Sequence, residues 1–170
     1  AGEHDILLFS SAGKSIRFKE SDVRSVGRTA IGVRGIRLAD KDKVVSLIVA
    51  ESDDPILTAT EKGYGKRTQL DEYRAQARGG SGVISIKTSD RNGQVVGAIQ
   101  VTDEDEMMLI SDKGTLVRAR AADVSIIGRN TQGVTLINIA DDEALVSVAK
   151  IAETDDDEES AEDVNETSEE

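Results

Sequence analysis

A chain of 170 residues with 38% apolar but only 2% aromatic residues must build its core from Val, Ile, Leu and Ala, which favours sheet. It has no cysteine, which excludes disulfides, thiolate metal sites and a cysteine nucleophile. The formal net charge of −12 argues against nucleic acid until it is divided: residues 154–170 hold ten acids and no base, leaving 23 acids against 21 bases in residues 1–153, a net of −2.

No apolar run reaches the roughly 20 residues needed to cross a bilayer, and Ala1-Gly2-Glu3-His4-Asp5 has no signal-peptide pattern. The chain starts with Ala1 rather than Met, so a fragment is expected. Three similar stretches follow one another. The first runs Leu8-Phe9-Ser10-Ser11-Ala12-Gly13 to Arg17, then Arg28-Thr29-Ala30-Ile31-Gly32-Val33, then the apolar run Val44-Val45-Ser46-Leu47. The second runs Leu57-Thr58-Ala59-Thr60-Glu61-Lys62-Gly63 to Arg67, then Arg78-Gly79-Gly80-Ser81-Gly82-Val83 and Val95-Val96-Gly97-Ala98. The third runs Leu109-Ile110-Ser111-Asp112-Lys113-Gly114 to Arg118, then Arg129-Asn130-Thr131-Gln132-Gly133-Val134 and Leu145-Val146-Ser147-Val148. Each Arg follows its Gly by four, and the second string reads R-x-x-x-G-V each time. Corresponding positions lie 50 or 51 residues apart, a period suited to a four-stranded propeller-type blade.

Ala12-Gly13, Lys62-Gly63 and Lys113-Gly114 each sit between strand-like runs and predict hairpins, while Asn92-Gly93 predicts a tight primed turn. Isolated helical turns are expected near Ser21–Ser25, Asp71–Arg74 and Ala121–Ser125. Pro55 stands between the first two copies, where a strand can begin without a donor. The reading is an all-β array with repeats at about 5–54, 55–106 and 107–153 inside a domain of 1–153. Residues 154–170 form a tail too acidic and too poor in apolar groups to fold. Three blades do not close a ring, so further blades are expected upstream.

Chemistry finds little to work with. There is no G-x-x-x-x-G-K-[ST] loop, and Gly63-Tyr64-Gly65 fails a dinucleotide fingerprint because Thr68 replaces its third glycine. His4 is the single histidine, too little for a metal cluster or a Ser-His-Asp triad. Tyr73 takes the place of Val23 and Val124 and reads as packing. The run Asp103-Glu104-Asp105-Glu106 lacks the spacing of a calcium loop and reads as a solvated linker.

The bases are patterned. Lys14, Arg17, Lys66, Arg67, Arg118 and Arg120 follow the first hairpin of each copy, and Arg28, Arg78 and Arg129 open the R-x-x-x-G-V turns. Residues two apart on a strand share a face, so stacked blades turn these cations into a stripe suited to a phosphate backbone. Ordinary roles remain open: arginines capping carbonyls, with Gly32, Gly82 and Gly133 in positive-φ turns. A protein-interaction propeller is the competing class. Scarce aromatics argue against single-strand readers.

The strings Gly27-Arg28-Thr29-Ala30-Ile31-Gly32-Val33-Arg34-Gly35-Ile36-Arg37-Leu38, Gly63-Tyr64-Gly65-Lys66-Arg67-Thr68 and Gly128-Arg129-Asn130-Thr131-Gln132-Gly133-Val134 resemble the C-terminal repeats of bacterial DNA gyrase A, more than those of the corresponding topoisomerase IV protein, ParC. The likeness covers about residues 5–153. It implies a β-pinwheel, here about three four-stranded blades of a normally six-bladed disc, whose basic rim wraps duplex DNA for ATP-dependent negative supercoiling. It adds Arg34 and Arg37 to the expected backbone contacts. It also implies that this stretch is not an enzyme by itself, since the catalytic tyrosine belongs to the breakage-reunion region. Gln76-Ala77-Arg78-Gly79-Gly80-Ser81-Gly82 is only a degenerate echo of the family motif Q-R-R-G-G-K-G. No cofactor is expected in this chain, ATP and Mg2+ acting through other domains and gyrase B. The implied partners are duplex DNA, the rest of a gyrase A dimer and gyrase B in an A2B2 complex. The implied setting is the bacterial cytoplasm at the nucleoid, with no membrane. The tail is expected to compete with DNA for the rim.

Overall fold

Runs of Val, Ile and Leu broken by glycine turns form short antiparallel strands, because β-branched side chains suit a pleated surface and glycine reverses the chain at positive φ. This computed structural model describes residues 3–152. The first repeat supplies β1 (Asp5–Ser10), β2 (Lys14–Lys19) and β3 (Val44–Ala50). The second supplies β4 (Ile56–Thr60), β5 (Tyr64–Thr68), β6 (Val83–Ile84) and β7 (Val95–Gln100). The third supplies β8 (Glu106–Ser111), β9 (Leu116–Arg120), β10 (Val134–Thr135) and β11 (Leu145–Lys150). Single 3-10 turns at Glu20–Asp22, Leu70–Glu72 and Ala121–Asp123 fall where isolated helical turns are expected. The acidic tail, residues 154–170, lies outside the described residues.

The sheets do not coincide with the repeats. Their strand orders are β3-β1-β2-β6, β10-β5-β4-β7 and β11-β8-β9. The fourth strand of the first sheet is thus donated by the second repeat, pairing Lys14 with Ile84 and Ser15 with Val83. The third repeat donates likewise, pairing Gly65 with Val134 and Tyr64 with Thr135. The expectation of three four-stranded blades is corrected here. Among the described residues the third sheet has three strands, because no following repeat hands it a fourth.

The donated strand enters through the glycine of R-x-x-x-G-V. Gly82 has φ +72°, and a Cβ there would lie 2.1 Å from the Ser15 carbonyl oxygen. Gly133 repeats this with φ +80° and 2.6 Å to the Gly65 carbonyl oxygen. Gly32 has φ +86° but nothing within 4 Å, since no sheet lies beside it among the described residues.

The core lies between sheets, and alternate residues of a central strand serve opposite neighbours. Ile56 joins Leu7, Phe9, Ile48, Leu70, Tyr73 and Ala98 in the seam of repeats one and two. Leu57 and Ala59 face the other way, with Met107, Leu109, Val124 and Leu145. Tyr73 is buried and meets Phe9 edge to face, ring centroids 5.8 Å apart, as packing predicts. Asn92-Gly93 departs from expectation. Gly93 has positive φ and Asn92 does not, so no primed hairpin turn forms. Instead the buried Asn92 carboxamide donates to the carbonyls of Lys87 and Gln132 and accepts from the Ser89 amide, bridging two repeats.

Gly82→Ala and Gly133→Ala should each lower the urea midpoint markedly, since both left-handed strain and a backbone clash are introduced. Gly32→Ala meets only the strain, about 1–2 kcal/mol. Equal losses at all three positions would contradict this account of the seam.

Candidate nucleic-acid interface

Most of the repeated arginines are spent inside the seams. On β2, Arg17 donates from Nε to Asp5 at 2.6 Å and from Nη1 to the carbonyls of Leu70 and Tyr73 at 3.0 and 3.1 Å. Asp5 also pairs with Lys19. Burial opposes ionisation of the Asp5 carboxyl, yet the hydrogen bonds from Lys19 and Arg17 outweigh it and hold the pKa below the usual range. Arg67, only 5% exposed, donates to the Val124 carbonyl and pairs with Asp103. Pro55 occupies the place that Asp5 and Glu106 hold in the other repeats, so Arg67 takes its carboxylate from the linker. Arg118, the third of the series, has no following repeat to cap; it pairs with Glu106 and its side chain is 63% exposed.

Lys66 is fully buried, in a column filled by Ile16 and Val117 in the other repeats. Its ammonium donates to the carbonyls of Gly128 and Arg129 and to Thr131 Oγ1. Burial pushes its pKa down to about 8, with Glu72 opposing and Arg129 assisting. The R-x-x-x-G-V arginines do similar work. Arg78 donates to the carbonyls of Asp22 and Arg34, and Arg129 to that of Ile84. Arg28, their counterpart in the first repeat, is exposed.

The expected stripe is therefore corrected for Arg17, Lys66, Arg67, Arg78 and Arg129. Their positive ends cap carbonyls of a neighbouring repeat, because each donated strand and its 3-10 turn leave carbonyls that need donors. Arg120 is exposed but paired with Asp123. Lys14, Arg28, Arg34 and Arg37 remain on the surface.

Two of these, Lys14 and Arg37, lie at one end of the first blade. There the β1–β2 hairpin turn abuts the turn entering β3: the Ser11 amide donates to the Lys43 carbonyl, and Asp42 accepts from Ser11 and from the amides of Ala12 and Lys43. Sequence reasoning overlooked the other cations at this end, Lys41 and Lys43 here and Lys62, Lys87 and Arg91 in the second repeat. Columns 37/87 and 41/91 are basic in both repeats, which was the available signal. Adjacent turn ends are joined: the Ser11 carbonyl accepts from Val95, and that of Gly13 from Ser85 and Ile86. Arg91 lies over the Tyr64 ring, 5.1 Å from its centroid. The opposite end is acidic, with Asp53, Asp54, Asp71, Glu72, Asp103 and Glu104. Among the described residues no three His, Asp or Glu side chains are grouped to hold a metal ion. Nor is any helix long and apolar enough to cross a membrane.

The family model for the DNA gyrase C-terminal domain, a β-propeller, matches residues 4–51, 54–102 and 105–152. The chain belongs to that family. Within it, the chain is 60% identical over 159 residues to DNA gyrase A of Klebsiella oxytoca, covering 94% of this chain and 18% of that protein. A solved DNA gyrase A C-terminal domain superposes with a TM-score of 0.82 at 31% identity, over 88% of this chain and 51% of that one. The C-terminal domain of DNA topoisomerase IV gives 0.83 at 27% identity, over 88% and 47%. Gyrase C-terminal and topoisomerase IV domains thus share this fold, and sequence identity places the chain with gyrase A. The chain spans about a fifth of the length of the curated relatives it matches.

Two outcomes test the seam. Arg67→Ala should cost about 1.5–3 kcal/mol, as for a hydrogen bond from a charged group, whereas exposed Arg118→Ala should stay within about 0.5 kcal/mol; both are read from denaturant midpoints. Lys66 titrates lower in the folded chain than in the unfolded one, so the unfolded chain binds more protons between pH 8 and about 10. Stability should rise across that window by up to about 1.4 kcal/mol per pH unit. Lys66→Met should abolish this rise relative to the parent.

Proposed function

We propose that this chain is the part of a DNA gyrase A protein that binds and wraps duplex DNA, carrying no catalytic chemistry of its own. The observation that carries the reading is the border of turn ends, where the Lys and Arg side chains of two successive repeats stand in the same columns on a rigidly stacked array. Such a border attracts phosphate without reading sequence. Bending 20–30 base pairs smoothly through 40–90° costs on the order of 1–6 kcal/mol, within reach of several charge-assisted contacts. The whole protein is then an ATP-dependent type II topoisomerase that introduces negative supercoils in the bacterial cytoplasm. ATP and Mg2+ act through other domains and gyrase B, and the partners are the rest of a gyrase A dimer and gyrase B in an A2B2 assembly. Tyr73 is committed to packing against Phe9, and Tyr64 lies beneath Arg91, which supports placing the breakage chemistry elsewhere.

Within this reading the phosphate contacts are Lys14, Arg37, Lys41, Lys43, Lys87 and Arg91, with Arg28 and Arg34 as further exposed cations. Each alanine substitution among the first six should reduce the slope of log K against log salt by about one, equally for every duplex sequence. An unchanged slope across the set, measured by fluorescence anisotropy, would remove the border as the binding surface.

A further inference from the structure

The turn ends of the three repeats are built alike but charged differently. Residues 10–14 with 37–43 carry four bases against two acids, a net of +2. The equivalent residues 60–64 with 87–93 carry three against two, a net of +1. In the third repeat, 111–115 with 138–144 carry one against four, a net of −3. Column by column, Arg37 and Lys87 give way to Asn138, and Lys41 and Arg91 to Asp142.

The state of the charges sharpens the contrast. Lys14, Arg37, Lys41, Lys43 and Lys87 make no ion pair among the described residues. The third repeat's one cation here, Lys113, is paired with Asp142. The border itself does not stop: the Glu61 carbonyl accepts from Leu145, and that of Gly63 from Leu136 and Ile137. A cleft of about 710 Å3 lies between the second and third turn ends, with Lys62, Tyr64 and Arg91 on one wall and Asp112, Asp141 and Glu143 on the other. The sign of the surface therefore reverses across one groove.

From this reversal we infer that the duplex path along the turn ends has a built exit: the duplex lies on the first two repeats and is turned away at the cleft before the third. The inference rests on the duplex-wrapping reading above and adds where contact ends. Carboxylates facing a phosphate backbone within a Debye length of about 8–10 Å repel it, and the groove aligns that repulsion with the edge of the cationic track.

The full chain has no cysteine, so a single one can be labelled uniquely. Asp40, Asp90 and Asp141 are equivalent and all exposed. Each is replaced in turn by Cys, coupled to a maleimide photocrosslinker and irradiated with a labelled non-specific duplex, whose binding is checked by anisotropy. Crosslinks are expected from positions 40 and 90 and only background from 141. A second variant, Asn138→Lys with Asp142→Arg, recreates the second repeat's pattern; it should steepen the salt slope by about two and bring position 141 into the crosslink. Failure of every protein to bind duplex at low salt overturns the wrapping reading. Binding with a crosslink from 141 as strong as from 90, or with none from 40 and 90, overturns the exit alone. So does a salt slope left unchanged by the second variant.

Discussion

Everything in this molecule depends on each repeat completing the sheet of the one before it. A repeat makes three long strands and then sends a two-residue strand across to its neighbour. The crossing leaves carbonyls of the donated segment and its 3-10 turn facing a seam where water is scarce, and an unpaired buried carbonyl is costly. Arg17 and Arg67 answer that need from the middle of β2 and β5, and Arg78 and Arg129 from the donated side. Because both faces of a blade are apolar, backbone exchange and side-chain burial reinforce one another, as in stacked-repeat proteins generally.

This constraint also governs where charge is free. A cation that recurs in the same column of every repeat is what a recurring junction requires, since the junction has the same carbonyls each time. A phosphate backbone asks less, needing positive charge somewhere along its path and no fixed fork geometry. The seam thus absorbs the most regular arginines, while the turn residues, less regular from repeat to repeat, set the surface field. Lys66 shows the same logic at a buried site: its column is apolar in the other repeats, and its ammonium satisfies three acceptors of the third repeat.

Much was legible in advance. The period, the hairpin glycines, the helical turns, the packing role of Tyr73 and the all-β class follow from residue pattern, because a turn's φ and a strand's alternation are local properties. The resemblance to gyrase A repeats rested on strings such as Gly63-Tyr64-Gly65-Lys66-Arg67-Thr68, and the family match agrees with it. The binding stripe was not legible in the same way. Facing rules for a strand say that two side chains share a side, but not whether that side meets solvent or a neighbouring sheet. Asn92 shows the limit for turns: a dipeptide typical of tight hairpins instead bridges two repeats, because the strands flanking it belong to different sheets.

By itself, the sequence determined that the chain is an array of three β units without catalytic equipment, with its acid concentrated beyond residue 153, since composition and periodicity act residue by residue. Tertiary structure alone decided which cations face water. That depends on which repeat supplies the fourth strand, and so on contacts between residues some 50 or 60 positions apart, such as Arg17 with Leu70 and Lys66 with Gly128.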